Sequence, residues 1–176
     1  RRLVTATAPT PISATLTMAE TPMTSCRRKD RTFHHGRRRV IAYELDAVRA
    51  AFAEANAAAL GLAEQVEVHS RDWVADLHAD RLPQTAGAFA DPARRVDERR
   101  VFRLDQMRPP IAPLLQLQAA VPVLGVKVMP SVADADLPPG CGVEFVSHGG
   151  VCKEAVLWFG PAKWQRKWAT LVRGDN

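Results

Sequence analysis

From Val40 onward the apolar residues fall into short runs broken by polar or Pro/Gly-rich stretches. Val40-Ile-Ala-Tyr43 is a four-residue apolar run that stops at Glu44-Leu45-Asp46. Residues 47–60 are rich in Ala with Glu and Arg, all strong helix formers. Val48, Ala51, Phe52, Ala55 and Ala59 recur there at helical spacing, which predicts an amphipathic helix with these residues inward. Asp46 stands at the N-cap position and Gly61 at the C-terminal stop. Val66-Glu-Val-His-Ser70 alternates like a strand and gives way to Arg71-Asp72-Trp73. After a polar connection, Gly87-Ala-Phe-Ala90 reads as a buried strand. It is cut off by Asp91-Pro92, since proline has no N–H for the ladder. Strand, helix, strand, strand in this order predicts parallel pairing with right-handed crossovers.

The second half continues the pattern. Residues 91–110 read as a long polar loop with many arginines. Residues 111–120 predict a short helix with Leu114, Leu115 and Leu117 on its apolar side. Residues 123–129 form a strand closed by Pro130, and Pro138-Pro-Gly140 is a turn. The runs 143–146 and 151–159 flank Ser147-His-Gly-Gly150, which predicts a β-hairpin. Residues 164–172 offer one more strand. Before Val40 only residues 12–18 alternate, weakly, as a strand would. No internal repeat is visible.

Composition and charge change this picture in one region. The 176 residues suffice for one domain with a core, and 47% hydrophobic with 24% charged residues are globular values. The net charge of +5 suggests a nucleic-acid partner, but its distribution is uneven. Residues 1–39 hold nine Lys/Arg against two Asp/Glu, whereas 40–176 hold 15 against 17. The basic character therefore belongs to an N-terminal segment, read as a solvated or non-native arm, while 40–176 form the domain proper. No apolar run is long enough to cross a bilayer and no secretory pattern is present, so a cytoplasmic protein is expected. Because the chain starts at Arg1 and not at Met, a trimmed chain or fragment is expected. Cys26, Cys141 and Cys152 show no metal-ligand spacing, and Cys141 and Cys152 are expected to face each other across the hairpin as reduced thiols. The adjacent His34 and His35 cannot face one way on a strand, so no metal is expected.

An acid at the end of one strand, an acid at the end of the next and Asp-Pro at the end of a third form a recognisable layout. It resembles the class I S-adenosylmethionine-dependent methyltransferases. The stretch from Val40-Ile-Ala-Tyr-Glu44 to Gly61 looks like that family's second strand and following helix. The resemblance implies that Glu44 binds both ribose hydroxyls of S-adenosylmethionine; a carboxylate can accept two hydrogen bonds from a vicinal diol. It implies that Asp72 binds the adenine amino group, that Trp73 lies against the ring, and that Asp91 lies at the cofactor. Asp91-Pro92-Ala93-Arg94 resembles the Asp-Pro-Pro-Tyr or Asp-Pro-Pro-Arg motif of enzymes that methylate nucleobases. It implies Asp91 and Pro92 at the transfer site and Arg94 and Arg95 on substrate phosphates, with RNA as the partner. Gly125-Val-Lys-Val-Met-Pro130, Glu144-Phe-Val-Ser147 and Lys153-Glu-Ala-Val-Leu-Trp-Phe-Gly160 are similar to a bacterial group that continues into a THUMP-like domain.

The implied fold is an α/β, Rossmann-like sheet, mostly parallel, with a C-terminal antiparallel hairpin. One signature is missing. The family's glycine-rich loop follows its first strand, where glycine lets the backbone approach the cofactor. Here Met18-Ala-Glu20-Thr-Pro-Met-Thr-Ser-Cys26 occupies that place, and no glycine precedes Gly36. The first strand and loop are therefore expected to be degenerate or absent, with residues 1–39 the product of a reading-frame or gene-calling error. Three alternatives stand beside methyl transfer: a catalytically inactive methyltransferase-like fragment, a basic-armed RNA-binding module, and a nucleotide-binding enzyme such as a dehydrogenase. Each residue also has a plainer reading: Glu44 as a surface or capping acid, Asp72 as a loop acid, Asp91 as a strand-ending turn, and Arg94 and Arg95 as part of a solvated charge run. Trp158, Trp164 and Trp168 are read as packing residues.

Overall fold

The computed structural model describes residues 15–19, 39–96 and 99–173. His34, His35 and Cys26 lie outside them, as does most of the N-terminal segment. Strands β1 (Thr15–Ala19), β2 (Val40–Tyr43), β3 (Val66–His69) and β4 (Gly87–Asp91) are followed by a two-stranded hairpin, β5 (Arg95–Val96) and β6 (Arg99–Arg100). Then come β7 (Leu124–Val128), β8 (Gly142–His148), β9 (Val151–Phe159) and β10 (Lys167–Val172). The helices are α1 (Ala47–Ala59), α2 (Trp73–His78) and α3 (Ile111–Ala120).

Eight strands form one sheet in the order β10-β8-β9-β7-β4-β1-β2-β3. The pairs β2–β3, β4–β7 and β8–β10 are parallel. The pairs β7–β9 and β8–β9 are antiparallel, and β8–β9 is the hairpin expected around Gly149-Gly150. The position expected to lack a first strand is filled by β1, between β2 and β4. It runs antiparallel to both, so the sheet is mixed where a mostly parallel one was expected. Direction is a matter of non-local pairing, which an alternating five-residue run does not encode.

One face of the sheet carries the core. Ile41, Tyr43, Ala88, Ala90, Leu124, Val126, Val143 and Leu157 are buried at alternating positions of their strands. They join Trp73 of α2, Met107, and Leu114 and Leu117 of α3 in a single cluster. Gly125 lies within β7 because space is lacking: an added Cβ would stand 2.8 Å from the rings of both Phe89 and Trp158.

Helix α1 forms as expected but packs differently. Asp46 caps it by accepting hydrogen bonds from the N–H groups of Val48 and Arg49, and Gly61 follows at φ +70°. The stripe Val48, Ala51, Phe52, Ala55 and Ala59 is exposed, however, and Ala50 and Ala57 are the buried residues. Alanines let the helix axis approach β3 closely, and that contact selects the small face over the larger apolar one. Cys141 and Cys152 do not face each other: Cys141 is buried before β8, and Cys152 is exposed on β9 opposite Ser147. Burial pushes the Cys141 thiol pKa up.

Two glycines give a graded test. Gly61 has φ +70° and open space around it, whereas a Cβ at Gly160 (φ +72°) would meet the Pro122 carbonyl oxygen at 2.1 Å. Gly61→Ala is expected to cost about 1–2 kcal/mol for the left-handed backbone alone. Gly160→Ala is expected to cost more than that in urea unfolding; equal losses would show that the Pro122 contact carries no weight.

Candidate functional site

The site is built from the rim where β2, β3, β4 and β7 end. Tyr43 and Ala90 both stand opposite Leu16 of β1, so Glu44 and Asp91 leave the sheet at one level. They are two strand spacings apart, about 10 Å. His69 ends β3 beside Tyr43, and its carbonyl accepts the Glu44 N–H at 3.0 Å. Lys127 of β7 arrives at the same level from the other side.

Glu44 is buried, and its Oε1 accepts the Asp46 N–H at 2.9 Å. It lines a groove of about 320 Å³ together with Ala42 and Val68 of the sheet and Arg49, Phe52 and Asn56 of α1. The groove thus has apolar walls and a carboxylate, the composition of a small-ligand site.

Asp72 lies on the next segment. It is exposed and caps α2, with Oδ1 accepting the Val74 N–H at 2.9 Å. Helix α2 occupies what the sequence suggested was a polar connection; at six residues it is too short to show a period. Trp73 is 3% exposed and belongs to the core cluster, so its expected place against a cofactor ring is corrected to a packing role.

The segment between β3 and α2 is held by a group that the motifs did not mark. Asp76, 2% exposed, receives Arg81 Nε on Oδ1 at 3.1 Å. Arg71 Nε stands 2.8 Å from its Oδ2, a charge contact without hydrogen-bond alignment. The Arg71 guanidinium in turn lies 5.7 Å over the Tyr43 ring, a cation–π distance. The Tyr43 hydroxyl is buried with no hydrogen-bond partner among the described residues.

Asp91 is half-exposed, and its Oδ2 accepts from Lys127 Nζ at 3.3 Å. Lys127 also meets Glu154 at 3.4 Å. Pro92 is buried. Arg94 donates to the Val128 carbonyl at 3.4 Å, whereas Arg95 is exposed on β5. The polar loop expected here contains a hairpin, in which Arg95 pairs with Arg100. The structure therefore brings Glu44 and Asp91 to one rim with Lys127, places Asp72 on the segment that follows β3, and sends Trp73 inward. Among the described residues no group of His, Cys, Asp and Glu could hold a metal ion. No helix of the described residues is long and apolar enough to cross a membrane.

No family model and no curated protein matches the chain. Among solved structures, a candidate methyltransferase from Porphyromonas gingivalis W83 is similar, with a TM-score of 0.54 over 69% of this chain and 22% sequence identity. The likeness is one of fold. The fold is methyltransferase-like, and this chain spans 31% of the length of that neighbour.

Two predictions follow the charges of this rim. Arg71→Ala alone leaves Arg81 on Asp76, and the reverse also holds, so each single change is expected to be mild. The double change strands a buried carboxylate and is expected to cost about 3–5 kcal/mol, well beyond the sum of the singles, in denaturant unfolding. Glu67 on β3 is held below its ordinary pKa of 4.5, first by its hydrogen bond with His69 (2.6 Å) and also by Arg39. A lowered carboxyl pKa stabilises the fold above the ordinary value, and that contribution is lost as pH falls through the folded one. Glu67→Gln is therefore expected to melt lower than the parent at neutral pH and to converge with it in acid; a constant gap would refute the linkage.

Proposed function

We propose that the chain is the sheet portion of a class I, Rossmann-like S-adenosylmethionine-dependent methyltransferase of the THUMP-associated bacterial group, and that it acts on an RNA base. The observation supporting this reading is the common level at which Glu44 and Asp91 leave the sheet, with Asp72 on the adjacent segment. Carboxylates at the C-terminal edge of an α/β sheet are where nucleotide-type ligands bind.

The nucleoside end of the cofactor fits. Glu44 is fixed by the Asp46 N–H at the mouth of a partly apolar groove, where its carboxylate would hold the ribose diol. The Asp72 oxygen not used in capping α2 would take the adenine amino group. The methionine end fits less well. Strand β1 runs the opposite way, so its C-terminal residue Ala19 lies at the far rim beside Val40 and Gly87.

When bound, S-adenosylmethionine supplies an activated methyl group together with its leaving group. The chain's part is placement. Asp91 and the backbone at Pro92 would accept hydrogen bonds from a target amine, and Lys127 keeps the Asp91 carboxylate turned along the rim. Arg94 and Arg95 would meet substrate phosphates. In-line positioning of nucleophile and methyl group then does most of the work.

A second reading, a methyltransferase-like RNA-binding module without transfer, is favoured by the direction of β1. Calorimetry with S-adenosylhomocysteine and with adenosine separates the two. The first reading expects S-adenosylhomocysteine to bind well above adenosine, and Glu44→Gln to weaken both by about 10- to 100-fold through loss of charged hydrogen bonds. Equal binding of the two ligands favours the second reading, and no heat with either at millimolar concentration ends the first.

A further inference from the structure

We propose that the cleft between the β5–β6 hairpin and the turn Leu104–Gln106 holds the phosphodiester backbone of a single nucleic-acid strand. The cleft measures about 610 Å³, and its lining includes Arg99, Arg100, Asp105, Gln106, Arg108 and Pro110. Residues 94–108 contain six arginines against three acids. Arg99, Arg100 and Arg108 are exposed and make no ion pair among the described residues. The acid in the lining, Asp105, is already met by Arg103 through two hydrogen bonds of 3.1 and 3.3 Å. That pairing holds the Asp105 carboxyl below the usual range, so it stays a matched anion. Three guanidinium forks unpaired among the described residues, around one opening, suit an oxyanion chain, since each fork offers paired donors to phosphate.

Two further features narrow the partner. Helix α3 begins at the cleft behind Pro110, with no side-chain cap and no acid in its first turn, so its positive end is uncompensated. Phe102, 62% exposed, is next in the chain to the cleft residue Val101, and an exposed aromatic ring at the border of the cleft suits an unpaired base. An acidic peptide would use the arginines but would leave Phe102 without a role. The cleft is also tied to the rim. Ala93 and Arg108 exchange two backbone hydrogen bonds of 2.8 and 3.0 Å, and the Val101 N–H bonds to the Arg94 carbonyl at 3.0 Å. A strand lying in the cleft therefore passes just beyond Asp91-Pro92. In that one respect the inference rests on the proposed methyl transfer: a base turned toward Asp91 is the substrate.

The test is fluorescence anisotropy of the full chain with a labelled 12-nucleotide RNA, the matching DNA, and polyglutamate, between 50 and 200 mM salt. Replacing Arg99, Arg100 and Arg108 together by Ala is expected to reduce the slope of log affinity against log salt by about 2, at about 0.7 per phosphate contact. It is expected to weaken low-salt binding at least about tenfold. Phe102→Ala is expected to weaken binding about tenfold with the slope unchanged. Asp105→Asn frees Arg103 and is expected to tighten binding severalfold, which also guards against a misfolded triple variant. Equal binding of RNA and DNA, or a preference for RNA, each upholds a phosphodiester site; the second adds a contact to the 2′-hydroxyl. An unchanged slope in the triple variant, no tightening with Asp105→Asn, or polyglutamate binding as tightly as RNA and lost with the same arginines overturns the proposal. S-adenosylhomocysteine calorimetry on the same samples keeps the two ideas apart. Lost cofactor binding with intact RNA binding sinks the methyl-transfer reading alone. Intact cofactor binding with an unchanged salt slope sinks the cleft alone.

Discussion

Five residues of backbone join the two halves of the sheet. Among the described residues, β2 and β3 are joined in the sheet to the β4–β7–β9–β8–β10 half only through the ladders that Thr15–Ala19 makes on either side. Without those ladders two central strand edges would stand unpaired in the middle of a packed structure, a costly state for buried N–H and C=O groups. The side chains of the core face reinforce the link, because Ile41 and Tyr43 belong to the same cluster as Ala88, Ala90 and Leu124. Hydrogen bonding fixes the level of the halves, and hydrophobic burial fixes their spacing.

That shared level gives the rim its character. Register, not sequence proximity, brings Glu44 and Asp91 to one edge, although 47 residues separate them in the chain. Each acid is then fastened locally by a different means. Glu44 accepts a backbone N–H two residues on, Asp72 caps a helix, and Asp91 meets a lysine from the neighbouring strand. A half-exposed ion pair such as Asp91–Lys127 adds little stability. Its consequence is orientation, since Lys127 also meets Glu154 and so holds the carboxylate within a small charged network.

Much of this was legible in the residues. Strands β2, β4 and β7 and the β8–β9 hairpin announce themselves because short apolar runs end on Pro, Gly or acid, and β3 by its alternation. Helix α1 was legible with its cap, but its packing face was not. Periodicity marks Val48 and Phe52, whereas the contact with β3 favours the small side of the helix at Ala50 and Ala57. Helix α2 is one and a half turns long and hidden among charges, so Trp73 looked available when it is buried. Asp76 and Lys127 were missed because a lone acid on a short helix and a lysine in a strand carry no motif; only tertiary placement gives them partners. The direction of β1 is the clearest case, since local alternation is the same whichever way a strand is threaded.

The exposed stripe of α1 bears on the groove beside Glu44. Burying a side chain the size of Val or Phe is worth about 1.5–3 kcal/mol. A helix that leaves Val48 and Phe52 about two-thirds exposed therefore forgoes several kcal/mol that its sequence pattern makes available. Phe52 is also a wall of the groove, facing Ala42 and Val68, with Glu44 and Arg49 supplying the polar contacts. Apolar area left uncovered next to an oriented carboxylate is binding energy that a partly apolar ligand can recover by entering. Phe52 thus belongs both to the anomaly in helix packing and to the apolar wall of the groove.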